Sequence, residues 1–127
     1  SQIENAMDMA QIYAESFYQV LKYNVIVTDT DKIVAIAGNL KKKYINMGIS
    51  ESIERMIERR DTFVERKKKE IEISPGIKEF GYYTVSTIIN NGDSIGAVII
   101  LSTETPMLEQ EEKLGMILAN MLSNYFC

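Results

Sequence analysis

The sequence predicts an α+β domain: an antiparallel sheet with the N- and C-terminal helices packed on one face. Three observations predict it. Ile3, Ala6, Met7, Ala10, Tyr13, Ala14, Phe17, Val20 and Leu21 fall at the i, i+3, i+4, i+7 spacing of one helical face. Two runs rich in β-branched residues, 82–89 and 94–102, flank Asn90-Asn91-Gly92-Asp93, and Asn-Gly supplies the positive φ angles that a tight hairpin turn needs. From Leu114 onward, Met116, Ile117, Leu118, Ala119, Met121, Leu122, Tyr125 and Phe126 leave a helix almost no polar side, the pattern of a helix covered from several directions.

The elements follow in order. Helical periodicity covers 1–22, with Met9, Ile12 and Tyr18 partly off the main stripe. Val25-Ile26-Val27-Thr28-Asp29 and Ile33-Val34-Ala35-Ile36-Ala37 are strands joined by the polar turn Asp29-Thr30-Asp31-Lys32, a hairpin by the shortness of the connection. Residues 40–47 form a short helix or irregular segment ending at Gly48. Ser50 is an N-cap for a helix over 51–60, with Glu51 and Glu54 near its positive end and Arg59 and Arg60 near its negative end. Its thin apolar face, Ile53, Met56 and Ile57, places it on the surface. Residues 62–73 carry Arg66-Lys67-Lys68-Lys69 between apolar residues, as an exposed edge strand does to discourage pairing, and Ser74-Pro75-Gly76 breaks it. The 82–89/94–102 hairpin is the centre of the sheet, and Gly96 within it marks a bulge or the close approach of another group. Thr105 and Pro106, as N-cap and first residue, open the last helix, with Glu109, Glu111 and Glu112 near its start.

Composition narrows the function. At 127 residues, 46% hydrophobic and 25% charged, the chain suits one ordinary globular domain over 1–127. The net charge of −4 argues against nucleic acid as its direct partner. Ten of the fourteen Lys and Arg residues lie in 41–69 together with five acids, a mixed pattern that reads as a solvated face. The one cysteine, Cys127, allows no intrachain disulfide, and no apolar run is longer than 97–101, which is far too short to span a bilayer. The cytoplasm is the expected compartment, with no membrane partner. A start at Ser1 without Met leads to the expectation of a piece of a longer protein.

Catalytic chemistry is missing. The chain has no histidine, which removes Ser-His and Cys-His nucleophiles and the commonest transition-metal ligand. A single terminal cysteine builds neither a zinc site nor a dithiol couple, and neither GxxxxGK[ST] nor GxGxxG occurs. Asp29 and Asp31 are two residues apart, but in a turn Asp bonds nearby backbone N–H groups. The expectation is no enzyme, with no catalytic residue, no metal and no cofactor.

The order helix, two strands, helical connection, edge strand, hairpin, helix resembles the GAF and PAS-type sensor domains. Val25-Ile26-Val27-Thr28-Asp29-Thr30-Asp31, Ile36-Ala37-Gly38, Lys41-Lys42-Lys43-Tyr44, Ile49-Ser50-Glu51, and the block from Tyr83-Thr84-Val85 through Asn90-Asn91-Gly92-Asp93 to Val98-Ile99-Ile100 resemble the C-terminal GAF-like domain of AbrB-type sporulation transcription regulators. Ala10-Gln11-Ile12-Tyr13-Ala14 fits the same pattern, and 65–80 fits it least. The resemblance implies an upstream swapped-hairpin DNA-binding domain, absent from this chain, through which alone DNA is bound, and assembly of the full-length protein through both domains. It also implies a small-molecule site between the sheet and the crossing segment, about 37–60. Ala37, Gly38, Tyr44, Phe63, Tyr83 and Val85 are its candidate lining, with Arg59 or Arg60 available to an anion. Bilin-attaching and methionine-sulfoxide-reducing GAF domains need internal cysteines, which this chain lacks, and the NKxnFx3DE pattern of cyclic-nucleotide GAF domains is absent.

Apolar surface on both terminal helices calls for a partner. The economical one is a second copy, with the terminal helices of both chains forming a four-helix bundle. Its candidate interface is Ile3, Met7, Ala10, Phe17, Leu114, Leu118, Met121, Leu122 and Tyr125. Two functions are expected from this reading: a sensor of an unknown small-molecule effector, or an oligomerisation module with a vestigial pocket.

Overall fold

Strand pairing and side-chain alternation build the molecule in three layers. The computed structural model describes residues 2–60 and 62–125, with side chains from residue 6. Helix α1 (Gln2–Leu21) leads into β1 (Asn24–Thr28) and β2 (Ile33–Ala37). Helices α2 (Lys41–Tyr44) and α3 (Glu51–Arg59) cross to β3 (Phe63–Ser74), and β4 (Ile77–Asn90), β5 (Asp93–Ser102) and α4 (Glu109–Leu122) follow. The five strands lie in the order β2-β1-β5-β4-β3, each antiparallel to its neighbours.

The two-residue period of the strands divides the core. Val25, Val27, Ala35, Ala37, Val98 and Ile100 pack with Ala10 and Ala14 of α1 and Leu118, Ala119 and Leu122 of α4. Ile26, Ile36, Ile99 and Leu101 point the other way, against Tyr44 of α2 and Ile53 and Ile57 of α3. Terminal helices on one face, as expected, therefore meet a third layer on the other. In that layer α3 lies on the surface as expected, with Glu51, Glu54, Arg55, Glu58 and Arg59 exposed, and its thin stripe packs on the sheet, with Ile53 at 0% and Ile57 at 3% exposure and Met56 half-buried. Covered on both faces, β1 is buried along its whole length, which is why it reads as a continuous apolar run.

Local chemistry sets the boundaries. The Ser50 hydroxyl accepts from the Ile53 N–H at 3.1 Å and donates to the Glu72 carbonyl at 2.6 Å. It thus caps α3 and ties the helix to β3 at once. With Ser50 fully buried, Ser50→Ala leaves a donor and an acceptor without partners and is expected to cost about 2 kcal/mol, measured by urea unfolding. Asn91 (φ 50°) and Gly92 (φ 82°) make the expected left-handed turn. Asp29 Oδ1 accepts from the N–H groups of Asp31 and Lys32, both at 2.7 Å, so the paired acids build the hairpin loop.

Two boundaries differ from expectation. Strand β4 begins at Ile77 instead of 82, because Pro75-Gly76 is a tight turn and not a break, with Ser74 paired to Ile77. This stretch pairs only with β3 and faces solvent at Lys78 and Phe80, so it lacks apolar alternation. Helix α4 begins at Glu109, not at Thr105-Pro106. The Ser102 hydroxyl accepts from the N–H groups of Glu104 and Thr105, and the chain then stays extended at Leu108 while Met107 enters the core at 1% exposure.

The side chain of Gln11 closes one edge of the sheet. Its amide donates to the Ile36 carbonyl at 2.9 Å and accepts from the Ile36 N–H at 3.1 Å, binding α1 to the outer strand β2. Among the described residues, no helix is long and apolar enough to cross a membrane.

Candidate functional site

The α2/α3 face holds the residues that the sequence points to. Tyr44, brought over the sheet by α2, is fully buried, and its hydroxyl donates to Glu79 Oε2. Lys43 Nζ reaches the same oxygen at 2.6 Å. Burial, and after it the Glu79 carboxylate, push the Tyr44 hydroxyl far above its ordinary range, so it stays a neutral donor. Tyr83 on β4 is 4% exposed and donates to the Glu70 carbonyl at 3.4 Å. Burial, then the charge of Glu65, raises its pKa too.

Phe63 stacks on Tyr83, ring centroids 6.1 Å apart and planes 29° from parallel. It pairs with Val85 in the β3–β4 ladder. Where α3 ends and β3 begins, Met56, Arg59, Thr62 and Phe63 line a hollow of about 280 Å³. Arg59 is exposed there. Arg60 next to it takes the left-handed conformation that ends α3, φ 61°.

The structure thus brings together Arg59 and Phe63, with Tyr83 and Val85 behind them. Tyr44 lies in the same core but turns to Glu79. Ala37 is corrected out of the site: it is fully buried and faces the terminal helices, because its neighbour Ile36 takes the α2/α3 face. Gly38 is a turn residue at φ 120°, where a Cβ would collide with Asn24 Oδ1, the acceptor for the Leu40 N–H. Arg60 is a helix terminator. Sequence reasoning missed three residues. Met56 stands three residues before Arg59 on α3, a signal that was readable, whereas Thr62 lies past the end of α3, where spacing carries no signal. Glu79 sits in the misplaced half of β4 and carries none. Beneath α2 and α3, the space is filled by Ile26, Ile36, Ile53 and Ile99, so the hollow lies at the rim. No cluster of metal-ligating side chains occurs among the described residues.

The candidate interface divides as well. Ala10, Leu118 and Leu122 are at 0% exposure inside the protomer, so they hold α1 and α4 to the sheet and have no surface to offer a partner. Met7, Phe17, Leu114 and Met121 are half-buried, and the Ile3 side chain lies outside the described residues. Tyr125 meets Tyr13 edge-on at 6.3 Å, joining the two helices. Among the described residues, Ile12, Val20, Met116 and Ile117, absent from the expected set, are the large apolar side chains of these helices left exposed.

A β2-β1-β5-β4-β3 sheet with the terminal helices on one face and a helical crossing on the other is a GAF-type α+β domain. Solved structures agree. The cofactor-binding GAF domain of the nutrient sensor CodY from Clostridium difficile superposes with a TM-score of 0.65 at 14% identity, over 89% of this chain and 81% of that one. Type II free methionine-R-sulfoxide reductase from Thermoplasma acidophilum does so at 0.75 and 17%, over 99% and 94%. At such identities the likeness is one of fold. The chain belongs to the stage V sporulation protein T C-terminal family of transcription factors, whose profile matches residues 6–126. It is 40% identical over 114 residues to stage V sporulation protein T of Bacillus subtilis (strain 168), covering 89% of this chain and 64% of that protein's length.

Proposed function

We propose that this chain is the regulatory module of a sporulation transcription regulator, that it pairs with a second copy through α1 and α4, and that its rim hollow takes a small molecule. One observation carries the pairing. Ile12 (55%), Val20 (84%), Met116 (48%) and Ile117 (50%) present large apolar side chains to solvent on two helices that touch each other. Two such helices are half of a four-helix bundle, and a two-fold axis supplies the other half. In a longer protein the pair would set the spacing of DNA-binding domains, DNA itself being left to those domains, and would join larger assemblies. The cytoplasm is the matching compartment.

Sedimentation velocity tests the pairing. The unaltered chain is expected as a dimer, and Ile117→Glu as a folded monomer with its circular dichroism unchanged. A monomer for the unaltered chain at high concentration would reject the proposal.

The chain is read as non-catalytic. It has no histidine, its one cysteine is Cys127, and Asp29 is committed to backbone N–H groups. The filled core beneath α2 and α3 favours a second reading, a pure oligomerisation module with a vestigial pocket. A ligand that binds the folded state raises the melting temperature; a metabolite panel that leaves it unmoved selects this second reading.

A further inference from the structure

We infer that the hollow between α3 and the start of β3 selects a small carboxylate with a flat apolar body, an inference that rests on the ligand-binding reading above. Among the described residues its lining is Met56, Arg59, Thr62 and Phe63, one cation among neutral groups. Among the described residues Arg59 has no ion-pair partner, so its guanidinium is open to an incoming anion. That planar fork matches the two oxygens of a carboxylate. A phosphate would call for several cationic donors converging on it, and among the described lining residues Arg59 is the one cation.

The rest of the wall fits a flat ring. One side of Phe63 is held against Tyr83, whose hydroxyl is tethered to the Glu70 carbonyl, so the aromatic pair is a fixed platform. Phe63 remains 38% exposed, leaving ring surface for an offset or edge-on aromatic partner. Met56 adds a polarizable, adaptable contact. A volume of about 280 Å³ lies at the small end of ligand pockets and suits a single ring better than a nucleotide. Glu65, two residues along β3 from Phe63, is paired with Lys69 at 3.6 Å, so the incoming anion meets a carboxylate already offset by a cation.

The test uses benzoate, its neutral counterpart benzamide, and the non-planar cyclohexanecarboxylate as probes. Each is titrated against the ¹⁵N-labelled chain, with amide shifts followed by NMR. Benzoate is expected to shift Arg59, Thr62 and Phe63 and to bind at least about fivefold more tightly than either other probe, given the strength of charge-assisted hydrogen bonds and of aromatic contacts. Arg59→Gln should bring benzoate to the level of benzamide. Arg55→Gln, one turn away on a residue paired with Glu51 at 3.8 Å, should leave benzoate binding unchanged. Equal binding of benzoate and benzamide, unaffected by Arg59→Gln, overturns the carboxylate and leaves the hollow as a binding site. Cyclohexanecarboxylate binding as well as benzoate overturns the flat body. No shift at these residues with any probe removes the hollow as a ligand site altogether.

Discussion

Leu118→Glu is expected to unfold the protein, not to split a dimer. Leu118 is at 0% exposure in the layer between the sheet and the terminal helices, among Ala10, Ala14, Val98 and Ile100. An ionised carboxylate there meets no cation among its neighbours, and an unpaired buried charge costs upward of about 4 kcal/mol. That is comparable with the whole stability of a domain, roughly 5–15 kcal/mol. Near-ultraviolet circular dichroism and thermal melting should show loss of the native fold at 25 °C or a large fall in Tm. The adjacent Ile117→Glu, half-exposed, should retain both. Native-like melting of Leu118→Glu would mean that α4 does not pack as described.

Gly96→Ala is expected to have the next largest effect. β5 is the central strand, bonded to β1 on one side and β4 on the other. A Cβ at Gly96 would collide with the carbonyl oxygen of Thr28 and press on the backbone of Asp29. No flexible side chain stands there to move aside, so the strands themselves must separate. Overpacking of this kind costs about 3 kcal/mol, a fall of about 10 °C in Tm for a domain of this size. Gly92→Ala offers the contrast: its surroundings are open and only its φ of 82° is strained, which costs about 1 kcal/mol. Equal melting temperatures for the two variants would show that crowding at Gly96 has been overstated.

Much of the fold is legible in the sequence because local chemistry and tertiary packing agree there. Asn91-Gly92 turns where its φ preference allows, Ser50 caps where a helix starts, and Gly96 sits where another backbone comes close. The misread boundaries lie where distant contacts outweigh local signals. Thr105-Pro106 has the chemistry of a helix start, but Met107 must first reach the core. Lys78-Glu79-Phe80 has no apolar alternation, yet β3 supplies a partner for its backbone. The site was harder to read, because it depends on which way single side chains point. Ala37 and Ile36 are adjacent and both apolar, and only strand parity separates the two cores they enter. For α4, apolarity on all sides concealed which residues hold the sheet, Leu118 and Leu122, and which remain outside, Met116 and Ile117.

The pairing of Gln11 with Ile36 bears on how copies of this chain can associate. At one end of the sheet a side-chain amide already occupies backbone groups that an added strand would use. At the other end, exposed Arg66, Lys67, Lys68 and Lys69 set like charges against any second β3. Extension of the sheet from molecule to molecule is opposed at both margins. The proposed pairing through α1 and α4 uses neither margin, and a helix contact with two-fold symmetry is complete once made. A pair of the kind proposed would therefore stop at a small number of copies, where an unguarded sheet would keep adding them.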